Sequence, residues 1–219
     1  MAIFHGVYST GRPKEGSKYT YVADLLYEGG CSVMVMESSR RSIRGDFNQK
    51  SLIASFTGKS FDAEVDDCRN CLQAALDEAE GSSLTLWGFS LGGIIAALLS
   101  LEHPGCGIVT SGTGVTPRPE SADMLSLPIL RHLRPDDLVA FVRRARPSWV
   151  LSFWGSEDRV FPREGAREAY EVFATDQRQF IEYPGADHSF RHVKGKSSFA
   201  ALDLMAQTVL NKVKANQRP

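Results

Sequence analysis

The stretch LTLWGFSLGGIIAALLS, Leu84–Ser100, decides the fold. A short apolar run, Leu84–Phe89, breaks at a serine flanked by glycines and resumes at Leu91 as a longer apolar run. Gly88, Ser90 and Gly92 stand as G-x-S-x-G. A strand that turns this sharply into a helix holds the serine in a strained conformation, and small residues two positions away on each side let strand and helix approach. The hydroxyl then projects at the carboxyl edge of the sheet, where open α/β sheets bind ligands. The same glycines also suit a plain turn without chemistry, so Ser90 needs partners before it can be read as a nucleophile.

Working outward, apolar β-rich runs alternate with helical patterns over the whole chain. Strands are predicted at 2–6, 31–36, 83–89, 107–112, 149–155 and 178–183, and helices at 18–28, 61–79, 91–103, 163–174 and 197–215. Continuous apolar strands, each followed by a helix, predict a doubly wound, mostly parallel six-stranded α/β sheet covered on both faces. The alternation breaks between about 113 and 147, where five prolines punctuate a leucine-bearing stretch, and this reads as a small helical lid inserted into a single domain spanning 1–219.

Composition narrows the function. With 25 Lys and Arg against 26 Asp and Glu, the net charge is −1 and no global field draws nucleic acid or an anionic membrane. The first residues carry no signal-peptide pattern and no apolar run is long enough to span a bilayer, so a cytoplasmic protein is expected. Cys68 and Cys71 form a CxxC pair, but they share the apolar stripe of Phe61, Val65, Leu72, Ala75 and Ala79 and read as packing residues, and no metal site is expected.

A serine hydroxyl is a poor nucleophile at neutral pH and requires a base and a group that orients the base. His188, in YPGADHSF, follows the last predicted strand at the same sheet edge as Ser90 and is the preferred base, with His192 in reserve; His103 and His132 read as helix-end and surface residues. The acid is Asp158, at the end of the strand in LSFWGSEDRVFP, chosen over its neighbour Glu157. Asp187 reads as a turn residue. The order Ser90, Asp158, His188 is nucleophile, acid, base.

In these three motifs the chain resembles the α/β-hydrolase superfamily: GFSLGG its nucleophile elbow, GSEDRVFP its acid loop and GADHSF its histidine loop, over nearly the whole length. The resemblance implies an oxyanion hole from the Leu91 amide and, after IFHG, the Val7 amide, with Tyr8 as alternative donor and a residue lining the substrate. His5 is structural in such a loop. Relative to the family pattern the first two strands are absent, which makes 31–36 an edge strand. Arg40, Arg41 and Arg44, with Arg12 and Lys14 nearby, read either as a solvated loop or as a patch that binds an anionic part of the substrate. Met124 and Leu127, among the lid's apolar residues, are expected to line an acyl pocket.

The expected activity is that of a serine esterase acting on small or medium acyl esters, without metal or organic cofactor, as monomer or homodimer. The alternatives are a thioesterase, a small peptidase, a lactone opener, or a hydrolase-fold binding protein with little turnover.

Overall fold

All five residues of β3 (Thr85–Phe89) are buried, and the strand runs straight into α4 (Leu91–Leu99), as the opening stretch predicts. The computed structural model describes residues 1–40, 49–79, 81, 83–121, 129–130, 134–191 and 199–216. Around β3 lie β1 (Ala2–Phe4), β2 (Met34–Val35), β4 (Gly107–Ser111), β5 (Trp149–Gly155) and β6 (Arg178–Tyr183). They form one six-stranded sheet in the order β2-β1-β3-β4-β5-β6, and every pairing is parallel. The expected edge strand is indeed the edge, though only two of its residues pair with β1.

Side chains alternate across a strand, so each buried strand feeds two cores. Ala2, Phe4, Leu86, Ile108 and Val150 point to one face, which is covered by α3 (Phe61–Glu78), α4, α5 (Pro135–Arg144) and α6 (Arg163–Glu171). Ile3, Trp87, Phe89, Val109, Leu151 and Phe153 point to the other, covered by α1 (Lys18–Glu28) and α7 (Ala200–Asn216). Trp87 stacks on Phe89 and its indole N–H donates to Ser111 Oγ at 2.8 Å, so its one polar atom is satisfied. Removing a side chain of this size from water stabilises by roughly 3 kcal/mol. Ser17 and Ser60 cap α1 and α3, their hydroxyls accepting from the amides of Thr20 and Ala63.

One element is not predicted: past the arginine-bearing loop after β2 lies a short helix, α2 (Gln49–Ser55). Within 113–147, α5 lies in the connection between β4 and β5 and packs on α4 and α6, with Leu138 and Val142 buried in the core. The apolar spacing of α5 is its packing face, and Ile129 and Leu130 are likewise buried in that core. Met124 and Leu127 lie outside the described residues.

Cys31, Cys68, Cys71 and Cys106 are all free thiols. Cys68 is buried, as the stripe implied, and burial pushes its thiol up to about 12, which removes it from thiolate chemistry. Among the described residues no helix is long and apolar enough to cross a membrane.

Candidate active site

Ser90 occupies the turn between β3 and α4 with φ 54° and ψ −120°, a strained conformation for a residue with a side chain. Three contacts hold it. Its amide donates to Ser111 O at 2.8 Å, its carbonyl accepts from Thr113 Oγ1 at 2.9 Å, and its carbonyl also accepts the Gly93 amide at 3.0 Å. A Cβ on Gly88 would lie 2.1 Å from Gly92 O, and one on Gly92 would lie 2.4 Å from Phe4 O, so strand, helix and neighbouring strand touch through bare backbone. The strain is held by the surrounding structure, and its effect is to lift the hydroxyl clear of both elements.

The loops after β5 and β6 bring two more side chains to that hydroxyl. Asp158 is buried, and its Oδ1 accepts the amides of Val160 (2.7 Å) and Phe161 (3.0 Å), which fixes the carboxylate on its own turn. Oδ2 is left for His188 Nδ1 at 2.8 Å, and His188 Nε2 faces Ser90 Oγ at 3.1 Å. A carboxylate only accepts, so the Nδ1 proton points to Asp158 and the Nε2 lone pair is left to accept from the serine hydroxyl. The His188 side chain is 23% exposed while that of Asp158 is fully covered, so the imidazole is open to solvent and the acid is not. Glu157 is exposed and turned to solvent. Asp187 accepts from the Ser189 amide and hydroxyl, the turn role expected of it. His192 and His132 lie outside the described residues.

At the end of β1 the chain makes a turn, with Ser9 N donating to Gly6 O at 3.1 Å. Val7 and Tyr8 form its centre, and their amides meet no protein acceptor among the described residues. A Cβ on Gly6 would stand 3.4 Å from the Ser90 Cβ, so this turn lies directly against the nucleophile candidate. Opposite it, Leu91 begins α4, where an N–H has no carbonyl one turn earlier to bind. His5 Nδ1 donates to Gly6 O at 2.9 Å, and burial, with Arg40 nearby, lowers its pKa and keeps it neutral. It is a brace for the turn, as expected.

Residues 3–149 match the family described as serine aminopeptidase, S33. The chain belongs to that family. Its structure is similar to that of the metagenome-derived lipolytic enzymes LipS and LipT, with a TM-score of 0.72 at 14% identity, covering 98% of this chain and 92% of that one. It is also similar to a soluble variant of monoglyceride lipase from Saccharomyces cerevisiae (0.70, 14%, covering 100% and 87%) and to Paleococcus ferrophilus monoacylglycerol lipase (0.65, 15%, covering 99% and 94%). At such identities these are likenesses of fold, and the fold they share with this S33 member is the α/β-hydrolase fold. No curated protein matches the sequence.

One site expectation for the S33 chain is corrected. Arg40 does not face substrate: its Nη1 donates to Val7 O (2.7 Å) and Ser9 O (2.9 Å) and its Nη2 to Glu64 Oε1 (2.6 Å), with the side chain only 10% exposed. A buried carboxylate and two inward carbonyls outcompete solvent for the guanidinium. Arg41 and Arg44 lie outside the described residues. Tyr8 is half-buried beside the turn, where burial raises its pKa.

Sequence reasoning missed three residues that support the site. Thr113 holds the Ser90 carbonyl, and Arg118 donates from Nε to Asp158 O at 3.1 Å. Lys18, the first residue of α1, donates from Nζ to Ser189 O at 3.0 Å, next to His188, and lies 4.5 Å over the Phe89 ring. Nothing in the local pattern marks Thr113 or Arg118; Lys18 carries a faint signal, since a cation at a helix N-terminus opposes the helix dipole.

Burial lowers Lys18 to about 7, with Asp187 partly offsetting and Arg191 adding to the shift. In the unfolded chain the same amine binds its proton up to its ordinary value of 10.5. Between pH 7 and 10.5 the unfolded state therefore holds more protons, and stability rises with pH; below pH 7 the full penalty of charging the folded form applies. Lys18→Met is accordingly expected to be more stable than wild type at pH 6, by about 2 kcal/mol after the lost Ser189 bond is subtracted. The gain should shrink as the pH approaches 10. Urea midpoints at pH 6, 8 and 10 test this, and a difference that does not change with pH contradicts it.

Proposed function

We propose that this protein is a serine hydrolase that cleaves small or medium acyl esters through an acyl-enzyme. The observation that carries the reading is the continuous chain from Asp158 through His188 to Ser90 Oγ, at 2.8 and 3.1 Å, at a solvent-facing sheet edge. Ser90 attacks the ester carbonyl while His188 takes its proton. Asp158 holds the imidazole and stabilises its charged form. The Leu91 and Val7 amides receive the oxyanion, with Tyr8 as the alternative donor, and the alkoxide leaves with the proton carried by His188. Water activated by the same imidazole then attacks the acyl-enzyme, which releases the acid and restores Ser90.

The similar lipolytic and monoacylglycerol lipase structures favour an ester over an amide, whereas the family description names an aminopeptidase. A thioester fits the same chemistry. Met124 and Leu127 are proposed to line the acyl pocket, within one α/β-hydrolase domain spanning 1–219. The four free thiols suit a reducing compartment, which supports the cytoplasm as its location, with the protein acting as monomer or homodimer.

The deciding experiment is hydrolysis of p-nitrophenyl esters from acetate to decanoate, beside an acyl-thioester and an aminoacyl p-nitroanilide, together with labelling by a fluorophosphonate. Ester turnover with an optimum at short or medium chains and labelling of Ser90 are expected. Faster turnover of the anilide moves the protein to the peptidases. Labelling without turnover of any substrate leaves the mechanism and rejects the ester, and neither labelling nor turnover favours a binding protein.

A further inference from the structure

Arg40 donates to Val7 O, Ser9 O and Glu64, and among the described residues none of these bonds reaches Ser90 or His188, yet it determines how the oxyanion turn is presented. A trans peptide holds its C=O and N–H antiparallel, so whatever binds the carbonyl aims the amide of the next residue. Arg40 Nη1 takes Val7 O at 2.7 Å and Ser9 O at 2.9 Å, the carbonyls on either side of Tyr8. The Gly6 carbonyl is taken from within the loop, by Ser9 N and His5 Nδ1. The carbonyls of Gly6, Val7 and Ser9 are therefore all drawn inward, and the amides of Val7 and Tyr8 are the groups left free, beside Ser90.

The guanidinium is itself fixed. Its Cζ lies 4.6 Å from the centroid of the buried Phe56 ring, and Nη2 pairs with Glu64, whose side chain is 2% exposed. Glu64 also accepts from Ser38 Oγ at 2.8 Å and pairs with Lys59 at 3.1 Å. Burial alone would raise the Glu64 carboxyl, but the Arg40 charge and its hydrogen bonds to Arg40 and Ser38 outweigh burial and hold it below its ordinary value. Lys59 also bridges to Asp67, one turn further along α3. An ionic lattice rooted in α3 thus ends on two carbonyls of the oxyanion turn, a tie of the kind that limits reorganisation when charge develops.

We infer that Arg40 is the positioning residue of the oxyanion turn: through Val7 O it orients the Tyr8 amide directly, and through Ser9 O it holds the residue whose amide fixes Gly6 O and with it the Val7 amide, in the arrangement that receives the tetrahedral intermediate. This rests on the serine hydrolase reading above. Lysine does not substitute, because a single ammonium lacks the planar fork that joins Glu64 to both carbonyls.

The test compares wild type, Arg40→Ala and Arg40→Lys with p-nitrophenyl butyrate, at a temperature where urea and thermal unfolding show each variant fully folded. For Arg40→Ala, kcat is expected to fall about 10- to 100-fold, less than the loss of an oxyanion donor outright, with KM changing less than about threefold. Methylguanidinium added to Arg40→Ala should restore much of the lost kcat. Arg40→Lys should be impaired in kcat as well. A kcat within about twofold of wild type in either folded variant overturns the inference, even if stability drops, because a purely structural side chain moves only the unfolding midpoint. A raised KM with unchanged kcat overturns it too and returns Arg40 to substrate binding. Should Arg40→Ala fail to fold, Arg40→Lys, which keeps a charge opposite Glu64, supplies the same readout. If wild type turns over no ester and Ser90 is not labelled, the hydrolase reading has failed and this inference falls with it; wild-type turnover with unaffected Arg40 variants rejects this inference alone.

Discussion

Ser90→Ala is expected to lower kcat for p-nitrophenyl ester hydrolysis by about 10⁵-fold and to abolish fluorophosphonate labelling, with the unfolding midpoint almost unchanged. On the proposed mechanism the chemical loss is large because the hydroxyl supplies both the electron pair that attacks and the proton that His188 accepts; without it only the oxyanion amides and substrate binding would act on the ester. The structural loss is small because the backbone of the turn is held by other groups. Ser111 O takes the Ser90 amide and Thr113 Oγ1 takes its carbonyl, and neither bond uses the side chain. Oγ has His188 Nε2 as its partner at 3.1 Å, and that ring is partly open to solvent, so water replaces the missing partner. A folded variant with activity within tenfold of wild type would remove Ser90 from the mechanism.

Gly88→Ala is expected to have the largest effect on folding, a destabilisation of about 4 kcal/mol or more and a fall in Tm of about 10 °C or more. The added Cβ would sit 2.1 Å from Gly92 O and 2.2 Å from Gly93 N. Both are backbone atoms of α4, so no rotamer change relieves the overlap, and the strand and helix must separate. Separation also pulls Gly92 off Phe4 O and so disturbs the end of β1, where the oxyanion turn starts. Activity should fall together with stability in this variant, in contrast to Ser90→Ala, where the two part company. Thermal unfolding followed by circular dichroism measures the effect; a Tm within about 3 °C of wild type would show that the turn opens cheaply.

The elements and the catalytic candidates were legible because each rests on short-range rules. Leu84–Ser100 shows its change from strand to helix in its apolar spacing, and the loops carrying Asp158 and His188 follow strands whose carboxyl ends must lie on one edge of a parallel sheet. Choosing Asp158 over Glu157 agrees with the geometry for a reason visible in retrospect: an aspartate is short enough to accept the amides of Val160 and Phe161 on its own turn. Arg40 was misread because it stands beside Arg41 in a run of charge, while what turns it inward lies 24 positions away. There was a signal. Glu64 falls between Phe61 and Cys68 on the buried stripe of α3, and an acid in that position implies a cation brought to meet it. Within 113–147 the pattern is ambiguous for the opposite reason, because apolar spacing reads alike in a lid and in a packed helix such as α5.

The nucleophile candidate and its base are 98 positions apart in the chain. At ordinary rates of synthesis the ribosome needs about 5–20 s to travel from one to the other. During that interval β1, β3 and β4 have all emerged, and the elbow can pack with its serine in place, but His188, the proposed base, has not yet been made. A nascent chain, or one cut short before β6, carries an ordinary alcohol at this position. On the proposed mechanism reactivity arrives only after the last strand, so the chain would neither attack esters nor acylate itself before its sheet is complete, and a serine-directed probe would report on the finished fold as much as on the chemistry.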